Sequence, residues 1–568
     1  MVSQMLGSYK TSVISKYGNL IIALTVILLI YTMVSTYIYS IEPTDLGLVN
    51  KLPIIFWIGV ALLGCLWFIG KESKRYLATA LIISVAYLYV APAIIKVPVW
   101  LSNSYYPFGE ALLINSTGHL VSRPLDILTS YHYWPIFLYL ASTFTLITGM
   151  PHHIILKFFP LLTISLYGLL TFLILRKRLK HSYAIVGAAW FLSSFWLRQH
   201  YFGPQGIAYV FFLMILSSGS WLSFEGERKK RVLTTRVLLL FLFIVVTLTH
   251  ALTSFMSLIM LVALYLSQRF VGKRPSTDLG SLCILCTLIL SVYYAFLMPH
   301  APDLLVFFFK RFGEGLSGIM GLSIYKEPSR ITGSSAGLLN YASSWGIVFL
   351  NVIVVVIVIV QVLKNVLLHN QALKERCSIF SLIFLVLLGL LAFTTQYGSH
   401  EAYQRAFMFG LVPLAYLCIK TLKSKPKILF VMLAGLIFLN VPAQYGGDSF
   451  RLATGTQLAG SNFFADSAPD NISCLSKFSL YVRYYDPLKH IQFRSIAELP
   501  FTSFPNSSTV NKAVNESDYT MLSALMDNYY LHYLGQNPFD QVDFNKLNRV
   551  YDNLNFRVFK PTNTTSPP

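Results

Sequence analysis

The sequence predicts an all-α polytopic membrane protein of about 13 transmembrane helices, followed by a small extracytoplasmic α+β domain. Three observations carry that prediction. Of the 568 residues 55% are hydrophobic and only 12% charged, with a mean hydropathy of +0.60. A dozen apolar runs of roughly 16–24 residues match the length that crosses about 30 Å of hydrocarbon. Lys and Arg gather on alternate connections between those runs, which is how cytoplasmic loops are marked. A soluble globular chain is excluded.

In order, the runs place spans near 18–40, 53–70, 77–97, 153–175, 182–197, 206–223, 233–249, 251–268, 279–298, 344–363, 378–395, 404–420 and 426–442. The first, "NLIIALTVILLIYTMVSTYIYS", is about 22 residues long and lacks a small-residue cleavage pattern, so a retained span is expected rather than a signal peptide. The stretch 131–150, "YHYWPIFLYLASTFTLITGM", is long enough to be another. Charge decides against it. With 131–150 not crossing and the N-terminus inside, 24 of the 44 basic residues face the cytoplasm; if it crossed, 19 of those 24 would face outward. It is therefore expected to be an interfacial or re-entrant helix on the outer face.

Sequons agree with this sidedness. Asn115, Asn471, Asn506, Asn515 and Asn563 each begin an N-x-S/T tripeptide and all fall on the outer side, where glycosylation could reach them. The net charge of +20 belongs to cytoplasmic loops facing anionic headgroups, so nucleic acid is not an expected partner. Cys283 and Cys286 form a C-x-x-C inside an apolar run and read as packing residues, and Cys474 stands alone outside, so no disulfide is expected there.

The organisation that follows is an N-terminal pair of helices over 1–76, a transmembrane core over 77–444 with external loops 98–152 and 299–343, and an extracytoplasmic domain over 445–568. That last region carries 10 basic and 11 acidic residues. Within it, "LNRVYDNLNFRVFK" (547–560) reads as strand, Asx-type turn, strand.

Chemistry on a lipid-borne substrate requires a carboxylate to accept a proton and cations to hold a phosphate leaving group. The outer segments supply both residue types. Glu110 and Asp126 are the candidate catalytic carboxylates of the first long loop, with His132 and Trp134 beside them. Arg198, His250 and Arg405 stand at outward span ends, and Lys310 and Arg311 lie in the second long loop. Each has a plainer reading. Glu110 and Asp126 are alternatively solvated loop residues, Arg198 and Arg405 interfacial anchors, His250 a cap on backbone groups, and Lys310 and Arg311 attracted to lipid phosphates.

The first external loop with its carboxylate and "INSTGHL", the aromatic-proline helix start "YHYWPIFLYLASTFTLITGMP", and the span ending in "LILRKRLKH" together resemble the GT-C membrane glycosyltransferases. That superfamily holds the protein O-mannosyltransferases, aminoarabinose transferases and oligosaccharyltransferases. "HYFGPQGIAYVFFLMIL", "LTHALTSFMSLIMLVALY" and "NRVYDNLNFRVFK" are similar to segments of archaeal members. The resemblance spans roughly 77–568. It implies a GT-C-like core that transfers a sugar, with inversion, from a polyprenyl-phosphate carrier to an acceptor glycan, lipid or protein at the outer face of the bilayer.

It further implies an aspartate of the first loop as base. Here the chain departs from the pattern, because 98–118 contains no aspartate and Asn103 stands about where the acid is expected. Glu110 is the nearest carboxylate and Asp126 the next. No D-x-D occurs in that loop, so no cofactor is assigned; a divalent cation is not indicated, and the expected mechanism uses Arg405 and loop cations on the phosphate. The alternatives are a lipid-linked glycan polymerase, ligase or transporter, and a non-catalytic surface protein.

Overall fold

The computed structural model describes residues 2–38, 46–70, 73–96, 102–120, 133–225, 229–270, 279–297, 335–369, 375–394, 402–448, 452–476, 481–489, 491–494, 507–534 and 536–562. A helix covers each predicted span. Eight are long and apolar enough to cross a membrane, among them Lys74–Ile95, His152–Arg176, Ala251–Phe270 and Pro426–Tyr445. The chain is an integral membrane protein built mainly of helices.

Two helices differ from the sequence expectation in ways that shape the rest. The span expected over 182–197 is a helix of 14 residues, His181–Ser194, only about 21 Å long at 1.5 Å per residue. It stops at Ser194, so Trp196–His200 leave it as irregular backbone. The first long loop also carries a helix that was not anticipated, Tyr105–Thr117. Against it packs Pro135–Thr148, the segment expected not to cross, likewise 14 residues.

Asn115 joins those two helices. Its amide nitrogen donates to Thr145 Oγ1 at 2.8 Å, and its carbonyl oxygen accepts from Ser142 Oγ. Both polar atoms of this sequon residue are therefore engaged in helix packing rather than offered for modification.

Helix ends sort onto two faces. On one, Tyr183 Oη donates to Lys423 O at 3.3 Å, Arg376 Nη1 to Ser223 O at 3.2 Å, and Lys420 pairs with Glu375. The basic segments 176–181 and 420–427 thus share a face, as the charge argument requires. On the other, Leu48 N donates to Tyr445 O at 3.0 Å and Ile136 N to Leu248 O at 3.3 Å. Gly47, with φ +60°, makes that first contact possible, since a Cβ there would lie 2.1 Å from the Tyr445 carbonyl oxygen. Pro92 cannot donate to the Leu88 carbonyl, which accepts instead from Tyr445 Oη at 2.6 Å.

Lys96 closes this second face. Its Nζ lies 2.9 Å from Asp448 Oδ2 with both side chains fully buried, and 4.6 Å from the centre of the Tyr445 ring. Burial pulls the lysine below its ordinary value against the opposing pull of Asp448, and pushes Asp448 up to about 6. The pair ties the ends of helices Lys74–Ile95 and Pro426–Tyr445 together.

After Asp448 the chain enters a mixed five-stranded sheet of β1 (Ile472–Leu475), β2 (Ile491–Arg494), β3 (Tyr519–Ser523), β4 (Leu547–Asp552) and β5 (Phe556–Pro561), in the order β2-β1-β3-β5-β4. β1 runs parallel to β2 and β3, and β5 antiparallel to β3 and β4. The β4–β5 turn is the Asx type expected, with Asp552 Oδ1 accepting from Leu554 N at 2.9 Å. Tyr481 and Tyr484 return to the bundle, meeting Tyr105 edge-on at 5.2 and 5.0 Å. The domain is thereby held against helix Tyr105–Thr117.

Removing one partner of a buried ion pair leaves the other charge unsatisfied. Lys96→Met is therefore expected to destabilise the protein by roughly 3–5 kcal/mol, and Lys96→Met/Asp448→Leu to recover much of that loss. Thermal unfolding of the purified variants measures it; a Lys96→Met protein as stable as wild type would show that the pair does not hold these helices.

Candidate functional site

Arg198, Arg405, His250 and Trp134, expected from sequence as site residues, meet on the face that bears the C-terminal domain. Its centre is the segment Phe195–Gly206, which links the short helix His181–Ser194 to Pro204–Glu225. Arg198 sits in this segment at φ +57°, a left-handed conformation that costs a non-glycine residue roughly 1–3 kcal/mol and persists where the surroundings enforce it. Its side chain is buried, 5% exposed. Among the described residues neither Nη1 nor Nη2 has a hydrogen-bond partner. A buried guanidinium without partners is costly in isolation, and its planar fork of N–H donors matches the geometry of an oxyanion.

Two residues on, His200 is fully buried. Burial, with the charge of Lys96 adding to it, pushes its imidazole down to about 3, so it is neutral at physiological pH. Its Nε2 lies 3.5 Å from Gln444 Nε2. His200 thus stands between the Arg198 segment and the Lys96–Asp448 pair, within the field of Lys96 and 3.5 Å from Gln444.

Arg405, on helix Ala402–Leu422, reaches the same segment from the other side. Its Nη1 donates to Gln205 Oε1 at 2.7 Å. Arg405 also bears on His250, whose imidazole is pushed down to about 3 by burial first and then by this guanidinium. His250 Nδ1 lies 2.9 Å from Thr253 Oγ1 and accepts from Thr253 N at 3.3 Å. It therefore caps helix Ala251–Phe270 as a neutral ring, which is the plainer of its two sequence readings. Trp134 opens helix Pro135–Thr148 next to this turn, through the Ile136 N to Leu248 O bond. Its indole Nε1 is buried without a partner among the described residues.

Glu110 is 2% exposed. Its helix neighbours Phe108, Ala111 and Ile114 pack with Phe137, Ile155 and Phe202, so Phe202 connects the Glu110 helix to the Arg198 segment. Of the residues expected from sequence, the structure brings Arg198, Arg405, His250 and Trp134 to one face, with Glu110 in the packing unit beside them. Asp126, His132, Lys310 and Arg311 lie outside the described residues. Lys96, Asp448, Gln205 and Gln444 were not singled out. The one signal for the first of them is a lone lysine closing an apolar run.

Among the described residues no three His, Cys, Asp or Glu side chains converge as metal ligands. A cleft bordered by Arg178, Ser220, Phe380, Pro413 and Tyr416 lies at the opposite, lysine-rich face. The Glu375 carboxylate lies beside it, accepting from Tyr416 Oη at 2.6 Å.

No protein-family model matches the chain, and no curated protein matches it in sequence. Solved structures are similar in architecture. The oligosaccharyltransferase of Archaeoglobus fulgidus in its apo form aligns over 88% of this chain and 75% of its own, at 11% identity and a TM-score of 0.50. AglB from Archaeoglobus fulgidus, in complex with an inhibitory peptide and a dolichol-phosphate, gives the same coverage and identity at a TM-score of 0.48. ArnT from Cupriavidus metallidurans, bound to undecaprenyl phosphate, aligns over 85% of this chain and 98% of its own, at 11% identity and a TM-score of 0.46. By the match to the apo form, the chain shares the overall fold of the Archaeoglobus fulgidus oligosaccharyltransferase.

Proposed function

We propose that the chain is a glycosyltransferase that moves a sugar, with inversion, from a polyprenyl (dolichyl) phosphate carrier to an acceptor hydroxyl at the outer face of the membrane. The observation that carries this reading is the buried Arg198 guanidinium, whose two terminal nitrogens have no hydrogen-bond partner among the described residues. A phosphate that leaves with an extra electron pair is stabilised most by donors already fixed and desolvated. The fold supports the reading, since an oligosaccharyltransferase is built the same way.

In this scheme the acceptor O–H gives its proton to the Glu110 carboxylate. The freed oxygen pair forms a bond to the anomeric carbon, and the bond from that carbon to the phosphate oxygen breaks. Its electron pair leaves with the carrier phosphate, which Arg198 and Arg405 hold. The neutral His250 and His200 leave the positive field at the phosphate to the arginines. Trp134 lines the sugar side, its face suited to sugar C–H groups and its open Nε1–H to a hydroxyl. The basic face carrying 176–181 is then cytoplasmic and the C-terminal domain extracellular.

Transfer of radiolabelled sugar from a dolichyl-phosphate donor into membranes tests the reading. Glu110→Gln is expected to lower incorporation by about 10²–10⁴-fold, the range of a lost general base; equal incorporation would remove Glu110 from the mechanism. Arg198→Gln is expected to weaken dolichyl monophosphate binding by roughly 10–150-fold, as a charged hydrogen-bonding partner does. Unaltered binding would remove the phosphate seat, and no incorporation by the wild type with any such donor would remove the activity.

A further inference from the structure

The segment that holds Arg198 is pinned by side chains from three other helices, and all of them act on its backbone carbonyls. Helix His181–Ser194 ends without a Gly or Pro, so its last carbonyls need outside donors. Tyr89 Oη supplies Leu192 O at 2.7 Å and Phe195 O at 3.1 Å. Asn440 Nδ2 supplies Ser193 O at 3.0 Å and lies 3.4 Å from Phe195 O. Past the arginine, Thr163 Oγ1 donates to His200 O at 2.7 Å, and Tyr167 Oη donates to Gly206 O at 2.6 Å. Thr163 and Tyr167 are one turn apart on helix His152–Arg176, so a single face of that helix grips both sides of the segment's second half. Gly206 must be glycine, because a Cβ there would stand 2.8 Å from the Tyr201 carbonyl oxygen.

Those bonds fix the chain on both sides of the one residue whose backbone is left-handed and whose charge is buried and open. A receptor held in shape before its ligand arrives loses less freedom on binding. Resting on the phosphate role proposed for Arg198, we infer that Thr163, Tyr167, Tyr89 and Asn440 are positioning residues: they fold the Phe195–Gly206 segment into a preformed anion receptor and set the affinity for the carrier phosphate without touching it.

The full-length protein in lipid nanodiscs, titrated with dolichyl monophosphate and melted without ligand, tests this. Thr163→Val and Tyr167→Phe are expected to weaken binding about five- to tenfold each, the size of one lost hydrogen bond, and Thr163→Ser to restore wild-type affinity. Tyr87→Phe is the control. It removes a comparable buried bond, 2.8 Å to Thr25 O, away from the segment, and is expected to lower the melting temperature while leaving affinity unchanged. The inference is overturned if Thr163→Val and Tyr167→Phe bind as wild type, if Tyr87→Phe weakens binding as much as they do, or if Thr163→Ser fails to rescue. If wild type and Arg198→Gln bind dolichyl monophosphate equally, the phosphate role and the positioning role both fall; if only the former differ and the positioning variants do not, the positioning role falls alone.

Discussion

Hydrocarbon offers no hydrogen bond, and most of this structure follows from that single constraint. Every carbonyl and N–H within the bilayer must find a protein partner, so a helix that stops partway, as His181–Ser194 does, is tolerated only where side chains meet its exposed end. Tyr89 and Asn440 do so at the break, while Asn351 bonds Trp190 and Ser194 along the same helix. The irregular segment that results holds non-helical backbone and, with it, a buried arginine.

Charge obeys the same rule. Lysines and arginines are spread along the face that carries 176–181 and 420–427, where they meet water and headgroups. On the other face three are tied to the site: Lys96 is matched by Asp448, Arg405 is oriented by Gln205, and Arg198 has no partner for its two terminal nitrogens among the described residues. The neutral histidines between them keep the local field positive without adding groups that titrate near neutral pH. Such an arrangement favours an anion that arrives with a lipid tail and must be held while a bond to it breaks.

The spans were legible because hydrophobic run length is a local property, and the β4–β5 hairpin because its turn chemistry lies within a few residues. Arg198, His250 and Arg405 were legible as polar residues at span ends, and the structure gathers them onto one face. What the sequence could not show is long-range pairing. Lys96 and Asp448 are 352 residues apart, and Gln205 and Arg405 are 200 apart; neither has a spacing to betray it. Helix Tyr105–Thr117 was hidden inside a loop because its sides are covered by other elements, which erases the amphipathic period. Asn115 shows the converse, a tripeptide that reads as a modification site but whose amide is spent on joining two helices.

The most direct measurement of the central claim is an experimental structure of the protein with a polyprenyl monophosphate bound. The account predicts the phosphorus between the Arg198 and Arg405 guanidiniums, with oxygens on Arg198 Nη1 and Nη2 and the segment around them unmoved. A phosphate seated at the lysine-rich face, or one on this face that leaves Arg198 without a contact, would contradict it.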